Sequence, residues 1–94
     1  MKVQFIGYDC DVIVHHYNNG RKALVLTSAG EVVAYATVNL PNDPVDDDEV
    51  IIKDYSENEG MYDALLKAKI IGPALRRIST GFITCPVCKL LINE

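Results

Sequence analysis

The chain has 94 residues, 49% of them hydrophobic and 23% charged, with no Trp, three Cys and a formal net charge of −4. A chain of this length holds one domain with a modest core, because at this size only roughly 60–70% of the unfolded surface is hidden on folding. The apolar content excludes intrinsic disorder, and no apolar run approaches the roughly 18 residues of a membrane-spanning helix, so a soluble globular domain over 1–94 is expected.

The N-terminal stretch Met1 to Cys10 carries one lysine and a short apolar patch without a small-residue cleavage site, and three cysteines are too few for a disulfide-stapled scaffold. Both features point to the cytoplasm, with free thiols. From Lys2 to Tyr8, Val3 and Phe5 alternate with Gln4, which predicts a first strand interrupted at Asp9. A second strand is predicted from Asp11 to Tyr17, closed by Asn18-Asn19-Gly20, whose Asn-Gly pair supplies the positive backbone angles of a tight hairpin. Ala23 to Thr27 follows as a β-branched strand, Ser28-Ala29-Gly30-Glu31 as a turn, and Val32 to Leu40 as the longest strand.

Pro41-Asn42-Asp43-Pro44-Val45-Asp46-Asp47-Asp48 reads as a loop, because the prolines lack amide donors and three consecutive carboxylates must stay solvated. A short strand is predicted from Glu49 to Lys53. Ser56-Glu57-Asn58-Glu59 has the spacing of a capping box, with the Ser56 hydroxyl placed over the Glu59 amide. It predicts a helix over about residues 57–70, with Met61, Ala64, Leu65 and Ala68 on its apolar face, Asp63 and Lys67 four apart, and Gly72-Pro73 as its stop. Ala74 to Ser79 and Ile83 to Ile92 complete the chain as strands, Pro86 assigning the last one to an edge or a bulge. The predicted fold is α+β: one mainly antiparallel sheet of five to seven strands with one helix packed on it.

The charge is unevenly placed. Residues 42–63 carry Asp43, Asp46, Asp47, Asp48, Glu49, Asp54, Glu57, Glu59 and Asp63 against Lys53 alone, a balance of −8, and the remainder of the chain stands at +4. Such a segment repels phosphates and attracts basic protein surfaces, so direct nucleic-acid binding is not expected.

Few residues nominate chemistry. Cys85-Pro86-Val87-Cys88 is half a zinc site, completed only if Cys10, His15 or His16 folds beside it. On a regular strand the two thiols face opposite ways, and a redox-active pair opens a helix, which the strand-like flanks here do not. His15 and His16 also alternate across a strand. The acidic loop lacks the alternating acids and central Gly of a calcium loop. No serine has a nucleophile-elbow context, no glycine-rich loop cradles phosphate, and Arg21-Lys22 and Arg76-Arg77 are isolated basic doublets without interleaved aromatics. No catalytic pair, metal or cofactor is predicted.

Three stretches taken in order, Tyr35-Ala36-Thr37-Val38-Asn39-Leu40-Pro41, Ile52-Lys53-Asp54-Tyr55-Ser56-Glu57-Asn58-Glu59-Gly60-Met61 and Gly81-Phe82-Ile83-Thr84-Cys85-Pro86-Val87, resemble a small domain family of unknown function carried by bacteriophages and bacterial mobile elements. The likeness covers about residues 17–90 and brings no established activity. It implies a genomic setting in which small acidic proteins act by binding a host component. The expectation is a non-enzymatic accessory protein that binds and inhibits a host protein with a basic surface, such as a nucleic-acid-handling defence component in the manner of anti-CRISPR proteins. Asp43, Asp46, Asp47, Asp48, Glu49, Asp54, Glu57 and Glu59 are the expected contact residues. The alternatives are a module that sequesters a nucleotide or other small molecule through Asn39, Asp54, Tyr55 and Asn58, and a zinc-stabilised structural domain.

Overall fold

A computed structural model describes residues 2–92; Met1, Asn93 and Glu94 lie outside the described residues. The first four strands are β1 (Lys2–Phe5), β2 (Tyr8–His16), β3 (Lys22–Ser28) and β4 (Glu31–Tyr35). They form an antiparallel meander in the order β1-β2-β3-β4. Ala29 and Gly30 take positive φ values of 53° and 82° between the paired Ser28 and Glu31, the two-residue turn whose twist suits a hairpin. Ile6 and Gly7 do the same at 44° and 85°, so the first strand ends at Phe5 and Asp9 belongs to β2. The alternation from Lys2 concealed this turn because isoleucine rarely tolerates a positive φ.

One sheet was expected; there are two. The second contains β5 (Glu49–Ile51), β6 (Ile71–Thr80) and β7 (Ile83–Leu90) in the order β5-β7-β6. The division falls inside the stretch 32–40, which keeps its extended form but changes partners. Beyond Tyr35 the Ala36 amide still bonds the Leu24 carbonyl at 2.8 Å, while the Ala36 carbonyl accepts from Lys53 at 2.9 Å and the Val38 amide reaches Ile51 at 3.0 Å. Residues 36–38 therefore stitch the sheets together, helped by a bridge between Thr37 and Ile52.

Strand β7 is central, not an edge, although it holds Pro86. The Pro86 carbonyl accepts from the Ile52 amide at 2.9 Å, so the side that lacks a donor faces the point where the three-residue β5 has already ended. The irregularities sit in β6, whose register against β7 slips between Ile71 and Ala74 and again between Ala74 and Arg76. Gly72-Pro73 is therefore a bulge in an edge strand, not a helix stop.

The helix is shorter than expected. Ser56–Asn58 is a separate 3₁₀ turn, and α1 runs from Met61 to Lys67. Ser56 makes no capping bond, and Gly60, at φ 96°, precedes the first helical residue. The helix ends where Lys69 turns to φ 61°, with the Ile70 amide on the Leu65 carbonyl at 3.0 Å and the Lys69 amide on Leu66 at 3.1 Å. This is a Schellman motif with lysine where glycine is usual, and its hydrophobic partners Leu65 and Ile70 are both fully buried.

Two clusters form the interior. The larger gathers Val3, Phe5, Leu24, Leu26, Ile52, Met61, Leu65 and Ile71 with Cys10 and Cys88, between the meander, α1 and one face of β7. The smaller places Ile51, Cys85 and Val87, on the other face of β7, against Val38, Leu40, Val45 and Tyr55. Among the described residues no helix is long and apolar enough to cross a membrane.

Candidate functional site

The acidic loop between β4 and β5 is short of regular backbone pairing, and three cations supply what it lacks. Arg21, at the end of the β2–β3 hairpin, donates from Nη1 to the Leu40 carbonyl at 2.8 Å and from Nη2 to the Asp43 carbonyl at 2.6 Å. Lys22 Nζ donates to the Asp47 carbonyl at 2.9 Å. Arg76, on the edge strand β6, donates to the Pro44 carbonyl at 2.9 Å and grips Glu49 with both arms, Nη1 to Oε2 at 3.1 Å and Nη2 to Oε1 at 2.9 Å. Glu49 also accepts the Asp46 amide at 2.9 Å, and the Asp46 carbonyl takes the Glu49 amide at 3.0 Å, which closes the end of the loop.

Glu49 is 7% exposed, so its charge is tolerated only because it is paired and hydrogen-bonded. The Arg76 guanidinium, then the Asp46 amide, hold its carboxyl below the ordinary 4.5 against the opposing effect of burial. Of the expected contact residues it is the one that the fold buries, and it anchors the end of the loop. Asp46, Asp47 and Asp48 are exposed, and Asp43 is half-buried. Lys89 lies 3.7 Å from Asp48, an exposed pair that contributes little. Arg21, Lys22 and Arg76 therefore meet carbonyl groups and one anchor, and the loop presents its aspartates to solvent. Between the loop and the β2–β3 hairpin lies an open groove of about 440 Å³, with His16, Asn19 and Lys22 on one wall and Asp46 and Asp47 on the other.

The later acidic residues serve the chain locally. One oxygen of Asp54 accepts the amides of both Gly60 and Tyr62 at 3.0 Å, doing the work assigned to Ser56. Glu57 pairs with Lys53 at 2.6 Å, four residues back, and that lysine holds its carboxyl below the usual range. Glu59 is exposed. Asn58 is 2% exposed and donates to the Tyr35 carbonyl at 2.6 Å, covering the open edge of β4. Tyr55 packs in the smaller cluster, with the Lys53 ammonium 5.6 Å from its ring centre. Asn39 accepts from Asn19 at 3.2 Å beside the hairpin tip. Asn39, Asp54, Tyr55 and Asn58 thus each have partners of their own within the chain.

Cys85 and Cys88 enter different clusters from opposite faces of β7, as their spacing requires, and Cys10 lies in the larger one. Among the described residues no group of three or more His, Cys, Asp or Glu is placed to hold a metal ion. Burial raises all three thiols, Cys88 to about 11. At pH 8 about one Cys88 in a thousand is then thiolate, so iodoacetamide should label none of the cysteines appreciably in the native protein and all of them in urea. Intact-mass spectra taken through a labelling time course provide the check.

Sequence reasoning overlooked Arg21, Lys22 and Arg76 as site residues. The available signal was that the only two basic doublets accompany a single loop poor in backbone partners. No protein-family model, curated protein or solved structure matches the chain.

Proposed function

We propose that this protein is a non-enzymatic binding protein whose acidic loop, centred on Asp46, Asp47 and Asp48, docks on a basic surface of another protein. One observation carries the reading: Arg21, Lys22 and Arg76 hold the loop through carbonyl oxygens, which fixes its shape while the three aspartates stay exposed. A loop shaped in advance loses little conformational freedom on binding, and three adjacent negative charges speed encounter with a positive patch. The resemblance to phage and mobile-element proteins extends the proposal to a host defence component that handles nucleic acid, since its basic groove is the surface such a loop fits.

Charge reversal tests it. The triple variant Asp46→Lys, Asp47→Lys, Asp48→Lys leaves Glu49 and Arg76 in place, so the fold should hold. Pull-down from a bacterial host lysate by the natural chain should recover a basic protein, with affinity falling as salt rises, and the variant should weaken that binding at least about tenfold. Recovery of no basic protein, or equal recovery by the variant, refutes the proposal.

A further inference from the structure

Phe82 is the second residue of a two-residue turn between the paired Thr80 and Ile83. Only the first residue, Gly81, has a positive φ, 63°, the pattern of a type II′ hairpin turn that needs glycine first. The ring has no packing partner and is fully exposed, more so than any other large apolar side chain among the described residues. The tight turn fixes the Phe82 backbone, so the ring projects as a knob from the end of the β6–β7 hairpin.

The opposite shape exists on the four-stranded sheet, where the turns of the β1–β2 and β3–β4 hairpins lie side by side. Ile6 and Tyr8 from one and Val32 and Val33 from the other line a hollow of about 280 Å³, edged by Ser28 and Glu31. Ile6, Tyr8 and Val32 are each more than half exposed, so the hollow has an unfilled apolar wall. A cavity of about 150 Å³ is enough to hold benzene, so a phenyl ring fits with room for its neighbours. Charge runs the same way as shape: in residues 71–84 Arg76 is engaged by Glu49, but Arg77 is exposed and no carboxylate is present, whereas Glu31 edges the hollow.

We propose that Phe82 of one copy of this chain seats in the Ile6, Tyr8, Val32 and Val33 hollow of the next, with exposed Arg77 drawn towards Glu31 at its rim. Knob and hollow are different parts of the molecule, so the contact is head-to-tail and repeats until a ring closes or the chain of copies stops growing. A single aromatic anchor with a charged rim belongs to small, transient interfaces, which places association at about 0.1–1 mM.

Sedimentation velocity from about 10 µM to 1 mM tests this, a span that brackets the expected association. The natural chain should rise in mean mass beyond the dimer, whereas Phe82→Ser, which lacks the knob, and Val32→Lys, which blocks the hollow, should each remain monomeric. Both substitutions are at exposed positions, and circular dichroism confirms that each variant is folded. An equimolar mixture should form a dimer and nothing larger, because one usable knob and one usable hollow remain. A natural chain that stays monomeric throughout, either variant associating as the natural chain does, or a mixture that stays monomeric overturns the proposal. The acidic-loop reading stands or falls separately.

Discussion

Glu49→Leu should destabilise the protein by about 2–3 kcal/mol, close to the loss expected when one partner of a mostly buried, hydrogen-bonded ion pair is removed, lessened here by solvent around the arginine. The change strips both arms of Arg76 and the Asp46 amide of their acceptor at once. For a domain of this size that corresponds to a fall of about 10–20 °C in Tm. Urea denaturation with intrinsic tyrosine fluorescence measures it, and amide exchange at Asp46 should accelerate most, since that amide loses its partner.

The same group sets an acid limb. Its folded value lies below the ordinary 4.5, so the unfolded chain binds its proton first as pH falls. Stability from the Glu49 charge is therefore complete well above pH 4.5 and drains away as pH drops through the lower folded value. Glu49→Gln keeps an acceptor but cannot titrate, and should flatten this limb while leaving neutral-pH stability closer to the natural chain than Glu49→Leu does. Asp11 and Glu57 are lowered by Lys2 and Lys53 and act in the same direction, but both pairs are largely solvated. A variant with an unchanged acid limb would show that the Arg76 grip contributes nothing to folding.

Asp54→Ala should cost about 1–2 kcal/mol, whereas Ser56→Ala should lie within about 0.5 kcal/mol of the natural chain. The contrast separates two ways of starting the helix. A capping box at Ser56 would make the serine the costly change. The observed geometry gives two amides at the helix start, Gly60 and Tyr62, to one Asp54 oxygen, and Ser56 caps nothing. Asp54→Asn retains an oxygen acceptor and should fall between them. Exchange of the Gly60 and Tyr62 amides locates the effect, and equal stability of the two alanine variants would remove Asp54 from this role.

What could be read in advance follows physical range. Hairpins whose signals are local, Asn18-Asn19-Gly20 and Ser28-Ala29-Gly30-Glu31, are where the residues place them, although in the first only Gly20 and not Asn19 takes a positive φ, and so is the loop that Pro41 and Pro44 impose. Errors arise where a distant partner decides. Val32 to Leu40 looks like one strand because its side chains suit a sheet throughout, yet nothing local says that Ala36 changes partner. Pro86 suggests an edge because a lost donor usually needs one, and the answer depends on where β5 ends. The helix start failed for a different reason: the motif at Ser56 was genuine in spacing, but Gly60 permits a left-handed residue that breaks the box and hands the amides to a carboxylate farther back. Of the site, the exposed aspartates were legible as a solvated run. Glu49 was not separable from them, since its burial depends on an arginine 27 residues away.

The order β5-β7-β6 has a consequence in time. Strands β1 to β4 pair with their chain neighbours, and such hairpins close early because little chain entropy is lost in bringing their ends together. Strand β5 has no such neighbour: Val50 must wait for Cys88 and Glu49 for Lys89. During synthesis the meander is complete while β5 is still without a mate, and Arg76 reaches Glu49 only after most of the chain has emerged. The Glu49 end of the acidic loop is thus secured later than the end that Arg21 and Lys22 hold, and a chain halted before β6 would carry the loop's charge without the Arg76 grip.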